Sequence, residues 1–240
     1  DVYKRQANFR AHWCEKLGYA PYHRNMVAQF GSEEKWAAST AERLRSWGFN
    51  CVAAGHSPSL RYRGLGWMGF ISFGSTFSDV SDICPKEHWT GFPNVFHPKW
   101  PLYCDKRAKQ MCARAKDDPW LVGWFLDNEL EWYGKEHREW SLTDEVFKKP
   151  AGHSGKQALV GWLKRRYPTV EALNTAWGTK AASYDAIAAS AEPLRHTTEQ
   201  GRADKAAFLA VIAERYFGVA AAAALAKTDS VYGLPGSTSM

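Results

Sequence analysis

An uncharged apolar run at residues 120–126 ends abruptly at three polar residues, Asp127, Asn128 and Glu129. The run follows a predicted helix and shows no alternation of polar and apolar side chains. Short apolar runs of this kind are typical of strands that are buried on both faces, as in a parallel sheet. The sequence therefore predicts an α/β protein in which a buried strand is followed directly by two carboxylates and an amide.

Strands and helices alternate along the rest of the chain, which is the pattern of an α/β domain. Besides the run at 120–126, strands are predicted at residues 49–54, 68–73 and 230–233. Helices are predicted from capping residues and amphipathic spacing, at residues 32–48, 101–116, 154–167, 169–177 and 199–226. The segments 56–97 and 133–153 are expected to be long loops, with only the strand at 68–73 inside the first of them.

The composition indicates a globular chain with an unusual share of aromatic residues. Of the 240 residues, 45% are hydrophobic and 23% are charged, which excludes a disordered chain. Aromatic residues make up 14%, and 12 of them are Trp. Most of these rings are expected in the core, although a Trp face can also stack on the apolar face of a sugar ring. The aromatic content is compatible with carbohydrate binding but does not require it.

Charge and hydropathy argue against two classes of partner. The net charge is +6 and the pI is about 9.0, yet Lys and Arg are interspersed with carboxylates, so no nucleic-acid partner is expected. The densest basic cluster, residues 164–166, lies on a predicted amphipathic helix and is expected to be a solvated face. No apolar run approaches the roughly 18 residues of a membrane span, so no membrane partner is expected either.

The five cysteines form no CxxC pair and are odd in number. Neither a zinc site nor a disulfide framework is therefore predicted. We expect free thiols, with Cys51 buried on a strand and Cys112 buried on a helix face. No metal and no other cofactor are expected.

The two ends of the sequence carry separate expectations. Residues 1–6 match the product of a common sequencing-library adapter and are expected to be a scar joined to a truncated gene. Residues 7–240 contain no internal repeat and no convincing linker, so one domain is expected. Secreted, periplasmic and cytoplasmic locations are all compatible with the sequence, and so is any oligomeric state.

A carboxylate at the end of a buried strand is a candidate for acid–base chemistry. In a (β/α)₈ barrel the C-terminal ends of the strands converge on one mouth, which holds the active site. Partial desolvation there raises the pKa of a carboxyl group and lets it hold a proton for a leaving group. The competing interpretation is a plain polar turn at residues 127–129, and spacing alone does not decide between the two.

Two motifs resemble those of known enzymes. Residues 122–129, Val-Gly-Trp-Phe-Leu-Asp-Asn-Glu, resemble the fourth-strand motif of clan A glycoside hydrolases, and the longer string from Asp118 is similar to family 42 β-galactosidases and family 50 β-agarases. Residues 159–167 and 170–179 resemble the segment that follows this strand in both families. The resemblance covers roughly residues 30–190, and the two motifs in this order make it specific.

The resemblance implies a fold, an activity and a set of site residues. It implies a (β/α)₈ TIM barrel, here incomplete, with the first half to five-eighths of the barrel in residues 7–240. The implied activity is retaining hydrolysis of β-galactosides or of a galactan such as agarose, with an oligosaccharide or polysaccharide as substrate. Glu129 would be the general acid/base and Asn128 the ligand of the sugar 2-hydroxyl. Asp127, Trp132 and His56 are weaker candidates for lining the site.

The sequence departs from the family pattern in its second half. Retaining hydrolysis needs a second carboxylate about 5 Å from the first, and in the clan this nucleophile closes strand seven. Only four strands are recognisable, no carboxylate matches the nucleophile motif, and the segment after Tyr216 fits the families poorly. We therefore expect these 240 residues to be inactive alone. A non-catalytic carbohydrate-binding barrel is the alternative, although a binder has no need of the Asn128–Glu129 pair.

Overall fold

The computed structural model describes residues 13–87 and 90–227, which fall into two compact units. Described residues up to Phe70 form the first unit together with Asp117–Phe125. Those of Ile71–Lys116 and from Leu126 onward form the second. The expected scar at residues 1–6 and the strand predicted at 230–233 lie outside the described residues.

Helices and strands alternate in the first half of the chain, apart from two successive strands at residues 82–93, whereas the described residues after 126 hold helices alone. Both kinds of element are numbered here in chain order. The strands are β1 (Cys51–Val52), β2 (Gly66–Ile71), β3 (Asp82–Glu87), β4 (Thr90–Pro93) and β5 (Leu121–Leu126). The helices are α1 (Pro21–Phe30), α2 (Glu33–Ser46), α3 (Gly74–Phe77), α4 (Trp100–Cys112), α5 (Ser141–Phe147), α6 (Ser154–Arg166), α7 (Val170–Trp177), α8 (Tyr184–Ala189) and α9 (Glu199–Leu225).

Capping residues start and stop the helices close to where the sequence places them. Ser32 caps α2 by accepting a hydrogen bond from the backbone N–H of Lys35, and Thr169 caps α7 in the same way. Gly178 ends α7 at a positive φ of 68°, a conformation that glycine adopts without steric cost. For α6 the cap is His153 rather than the predicted Ser154, which is the first helical residue.

A three-stranded sheet with the order β1-β2-β5 forms the strand layer of the first unit. β1 pairs with β2 in parallel, and Cys51 lies opposite Gly66. Trp67 N–H donates to Trp120 O before β5, and Asp127 N–H after β5 donates to Ile71 O. These bonds advance along both strands together, so β2 and β5 also run in the same direction. The parallel pairing expected from the apolar run is confirmed.

The prediction that residues 120–126 are buried on both faces is wrong for this structure. β5 is the edge strand of the sheet, and Val122 and Phe125 are 48% and 43% exposed. Phe70 of the neighbouring strand β2 is also exposed. An apolar run predicts a doubly covered strand only where other elements supply the cover.

Several elements were missed inside the predicted loops. The segment 56–97 holds the antiparallel pair β3–β4 and the short helix α3 as well as β2. The pair has an irregular register and contains two prolines, which hides the period-two pattern of a strand. The segment 133–153 holds α5, whose seven residues are all buried although four of them are polar. Its Asp144 and Thr143 bond to Lys205, a partner that only the tertiary fold supplies.

The second unit is built around α9, which packs on α4, α5 and α7. Its Tyr216 is buried in an aromatic cluster with the rings of Phe92, Trp100, Trp132 and Phe217. By length and composition α9 could also cross a membrane, with a mean hydropathy of 1.6. Core helices of water-soluble proteins meet the same criteria, and the absence of a membrane partner stays a prediction.

All five cysteines lie in the described residues, and each is a free thiol. Cys84, Cys104 and Cys112 are buried, whereas Cys14 and Cys51 are partly exposed. The expected burial of Cys112 is confirmed, and that of Cys51 is wrong because β1 is only half covered. Burial raises the pKa of the Cys84 thiol to about 12 and that of Cys112 to about 11.

The thiols are expected to react in two classes, because the thiolate is the nucleophile and burial both shields it and raises its pKa. At mildly alkaline pH, a disulfide-exchange reagent should modify Cys14 and Cys51 in the native protein. The three buried thiols should react only after denaturation, and a reductant should not change the total of five. Fast native labelling of Cys84 or Cys112, read by mass spectrometry of peptides, would contradict this assignment.

Gly69 of β2 is expected to be intolerant of any side chain. A methyl group there would overlap the indole ring of Trp124 on β5, whereas a methyl group at Gly123 would find only Met68 Cε at 4.0 Å. Gly69→Ala should lower the free energy of unfolding by about 1–3 kcal/mol, as overpacking does. Gly123→Ala, in the same sheet, should stay within about 0.5 kcal/mol. Urea denaturation of both variants compares them, and equal losses would contradict the packing described.

Candidate active site

The turn after β5 has an unusual backbone. Asp127 and Glu129 have positive φ angles of 57° and 50°, a region that residues other than glycine rarely adopt. Such conformations cost about 1–3 kcal/mol each and persist where the surrounding structure imposes them. The contacts on either side of the turn therefore decide its shape.

The side chain of Asp127 is buried and bonded on both oxygens. Oδ2 accepts hydrogen bonds from the backbone N–H of Phe73 (3.1 Å) and Gly74 (2.6 Å) and from the hydroxyl of Tyr216 (2.6 Å). Oδ1 accepts from the backbone N–H and the hydroxyl of Ser75, both at 3.0 Å. Ser72 Oγ lies further away, at 3.4 Å. All of these donors are neutral groups of the protein.

The chain is fixed again directly after Glu129. Leu130 is buried, and its Cδ1 would lie 3.1 Å from a methyl group built on Gly74. Glu131 N–H donates to Gly91 O at 3.1 Å, and its carboxylate accepts from the Thr90 hydroxyl at 2.6 Å. Asn128 and Glu129 are the two exposed residues between these anchors.

Glu129 lines an open cavity of about 330 Å³ in the second unit. The described residues around it are Glu87, Thr90, Glu129, Leu130, Glu131, Trp132, Tyr133 and His137. The cavity thus combines carboxylates, a hydroxyl and aromatic faces, which is the kind of lining that binds a polyhydroxylated ring.

Trp132 both lines this cavity and packs against the buried aromatic cluster around Tyr216. Its ring stacks on Phe217 at 5.5 Å with an interplanar angle of 9°, and it meets Phe92 and Tyr216 edge-on. The cluster holds the indole rigidly where it lines the cavity beside Glu129. Two of the residues predicted for the site, Glu129 and Trp132, are therefore brought together.

His56 lies in the first unit, where both of its ring nitrogens are engaged locally. Nε2 accepts from Arg61 Nε at 2.8 Å, so Nδ1 carries the hydrogen and donates to Ala53 O at 2.7 Å. Burial is the main cause that lowers the pKa of His56, and the nearby Arg61 charge adds to it. These contacts give His56 a structural role in its loop. Its predicted place in the site stays a prediction, as does that of Asp127, whose oxygens are both occupied by protein donors.

A second cavity of about 450 Å³ lies elsewhere in the second unit. It is lined by Arg138, Trp140, Asp144, His196 and Lys205, among other residues. Lys205 is 2% exposed and pairs with Asp144 at 2.5 Å. Burial lowers the pKa of Lys205 and raises that of Asp144, while their mutual attraction opposes both shifts. Among the described residues, no group of three or more His, Cys, Asp or Glu could hold a metal ion.

Sequence analysis missed Tyr216 and the loop at residues 72–75. Tyr216 is 89 residues away from Asp127 in the chain and carries no motif. The serines of the loop look like ordinary turn residues. No pattern in the sequence could have linked them to Asp127, because the contact exists only once α9 is packed within the second unit.

Asp127→Asn is expected to destabilise the protein. In either orientation the amide NH₂ group would face a backbone N–H, of Ser75 on one side or of Phe73 and Gly74 on the other. A buried donor left unpaired costs about 1–3 kcal/mol, and the free energy of unfolding should fall by at least that much. Asp185→Asn is the control, since the Asp185 side chain is 96% exposed, and its effect should stay within about 0.5 kcal/mol. Thermal unfolding of both variants measures the difference, and a neutral Asp127→Asn would refute the role of these hydrogen bonds.

Comparison with known proteins gives a consistent relationship. A glycoside hydrolase family 42 model, described as β-galactosidase, matches residues 90–208. β-Agarase B of Vibrio sp. (strain JT0107) is 26% identical over 212 residues, 82% of this chain and 21% of the agarase. β-Galactosidase BbgII of Bifidobacterium bifidum is 31% identical over 94 residues, 39% of this chain and 11% of that enzyme.

Solved structures agree at the level of the fold. The structure of an exo-β-agarase matches with a TM-score of 0.70 and 24% identity, over 88% of this chain and 30% of that chain. The chain spans about a fifth of the length of the Vibrio agarase and about a third of the solved one. The predicted resemblance is confirmed: this chain is similar to glycoside hydrolases of the clan A type, among them β-galactosidases and β-agarases.

Proposed function

We propose that this chain is part of a retaining glycoside hydrolase that acts on β-galactosides or on a galactan such as agarose. Glu129 is the general acid/base of this enzyme, and Asn128 binds the sugar 2-hydroxyl. The observation that carries the proposal is the rigid turn after β5, which leaves Asn128 and Glu129 exposed between two anchored residues. The relationship to β-galactosidases and β-agarases supports the choice of substrate.

The geometry of the turn suits proton transfer to a leaving oxygen. A general acid must be held within hydrogen-bond reach of the glycosidic oxygen, and small misplacements are costly to the rate. Glu129 shares its cavity with the Trp132 indole, which can stack on a sugar ring, and with the polar groups of Thr90 and His137. A sugar lying on Trp132 would therefore be near the carboxyl group of Glu129.

The sheet supports the proposal of a barrel that is larger than this chain. β1, β2 and β5 run in one direction and expose Phe70, Val122 and Phe125. In a (β/α)₈ barrel such side chains are covered by barrel helices or by the packed interior. Further strands and helices beyond β5 would complete that cover, and the nucleophile carboxylate would come from one of those strands.

Glu129→Ala in the full-length enzyme tests the role of the acid/base. Turnover of galactosides with poor leaving groups should fall about 10²–10⁴-fold, the usual contribution of general acid–base catalysis. A dinitrophenyl galactoside needs little protonation, so its cleavage should survive far better. Azide should restore the second step, because the general base that activates water is lost with the same side chain. Initial rates with and without azide measure both effects.

Two control variants accompany this experiment. Asn128→Ala should slow all substrates alike, because it removes a contact to the sugar and not a proton. Glu139→Ala removes a carboxylate whose ion pair with Arg202 is exposed, and it should leave the rates unchanged. An equal loss for good and poor leaving groups in Glu129→Ala, with no effect of azide, would refute Glu129 as the acid/base. Retained sugar binding without any turnover in the unmodified full-length protein would favour the carbohydrate-binding alternative.

A further inference from the structure

We propose that Asp127 is a positioning residue, which holds Glu129 in place through Tyr216 and the loop at residues 72–75. The inference rests on the proposed function, because it concerns how the same carboxyl group is aimed. Asp127 is 6% exposed and touches protein donors with both oxygens, so it acts through the backbone and not on the sugar.

The first step of the argument is the strain in the turn. Two residues out of three at 127–129 lie in the left-handed region without being glycine. Residues other than glycine keep this conformation only where contacts with the surrounding structure impose it. An observed outlier of this kind is a reason to look for function. At Asp127 these contacts are five hydrogen bonds that fix its side chain, together with the bond from its own N–H to Ile71 O.

The second step is the rigidity of the donors. The N–H groups of Phe73, Gly74 and Ser75 begin α3, where a helix has N–H groups without partners in the helix itself. Asp127 provides their acceptor. Gly74 leaves no free room, because a methyl group there would lie 3.2 Å from Asp127 Oδ2 and 3.0 Å from Pro93 Cγ. The Tyr216 ring is clamped in the aromatic cluster, which fixes the remaining donor.

The third step is the short path to Glu129. Only Asn128 separates it from Asp127, and Leu130 on the other side packs close to Gly74. The carboxylate of Asp127 and the side chain of Leu130 thus both pack against Gly74, one from each end of the turn. A change in the Asp127 contacts would rotate the backbone between them and move the carboxyl group of Glu129.

The test uses the full-length enzyme and three single variants. Asp127→Asn sets amide hydrogens against backbone N–H groups, and Tyr216→Phe removes one donor while keeping the buried ring. Tyr167→Phe is the matched control, because Tyr167 donates the same kind of hydroxyl-to-carboxylate hydrogen bond to the buried Asp204. Each variant is assayed for kcat and KM with one good and one poor leaving group.

If Asp127 positions Glu129, its substitution should lower kcat much more for the poor leaving group than for the good one. Asp127→Asn should lower kcat for the poor leaving group about 10²-fold, the cost of a misplaced catalytic group, with little change in KM. The loss for the good leaving group should stay below about threefold, because that substrate needs little proton donation. Tyr216→Phe should shift the ratio in the same direction by a smaller factor, and Tyr167→Phe should leave it unchanged.

The double variant Asp127→Asn/Glu129→Ala separates the outcomes further. If Asp127 acts through Glu129, the double variant should be no slower than Glu129→Ala alone. A purely structural role would lower both substrates equally or add its loss to that of Glu129→Ala, and either result would overturn the proposal. If Asp127→Asn does not fold, Tyr216→Phe decides by the same ratio. A failure of the proposed function shows separately, as a Glu129→Ala variant without leaving-group dependence, and it overturns this inference too.

Discussion

Asp127 carries a buried carboxylate whose hydrogen bonds join three stretches of the second unit that are far apart in sequence: the turn after β5, the loop at residues 72–75 and helix α9. The donors are backbone N–H and hydroxyl groups, which have fixed directions, so the carboxylate determines geometry as well as contributing to stability. Removing it would leave several buried donors unpaired, which costs more than a hydrogen bond contributes when it is made. Together with the contacts of Leu130 and Glu131, these hydrogen bonds hold the turn that carries Asn128 and Glu129.

The hydrogen bonds of Asp127 also explain how a turn with an unfavourable backbone conformation can present exposed side chains. Backbone angles at Asp127 and Glu129 that would be unfavourable in an isolated peptide are held between a bonded carboxylate and a buried leucine, Leu130. The two residues with the chemistry proposed for catalysis, Asn128 and Glu129, remain exposed between these anchors. A site on a turn that is fixed at both ends combines accessibility with the precision that proton transfer requires. The aromatic lining of the cavity is held in place as well, since the ring of Trp132 is stacked on Phe217.

The sheet of the first unit shows how glycine permits close packing of aromatic residues. Gly69 allows the Trp124 indole to lie directly against β2, and Gly66 similarly admits Val122. Phe70 of β2 and Val122 and Phe125 of β5 nevertheless stay exposed in this sheet. The chain spans 30% of the solved agarase that it resembles, and in the proposed (β/α)₈ barrel further elements would cover both faces of this strand layer.

The sequence by itself determined the type and order of the main elements, because an uncharged run, helix caps and C-terminal glycines are local signals. Through its resemblance to known enzymes it also predicted Glu129 and Trp132 for one candidate site, and these two residues line the same cavity. It did not predict α1, α3, α5, α8 or the β3–β4 pair. The polar residues of α5 are ordered by the distant Lys205, and the irregular register of β3 and β4 hides their strand pattern. The burial of Asp127, the exposure of β5 and the hydrogen bond from Tyr216 were decided only by the tertiary structure. Each of them depends on contacts between residues that are far apart in the chain, and the local spacing of residues does not predict such contacts.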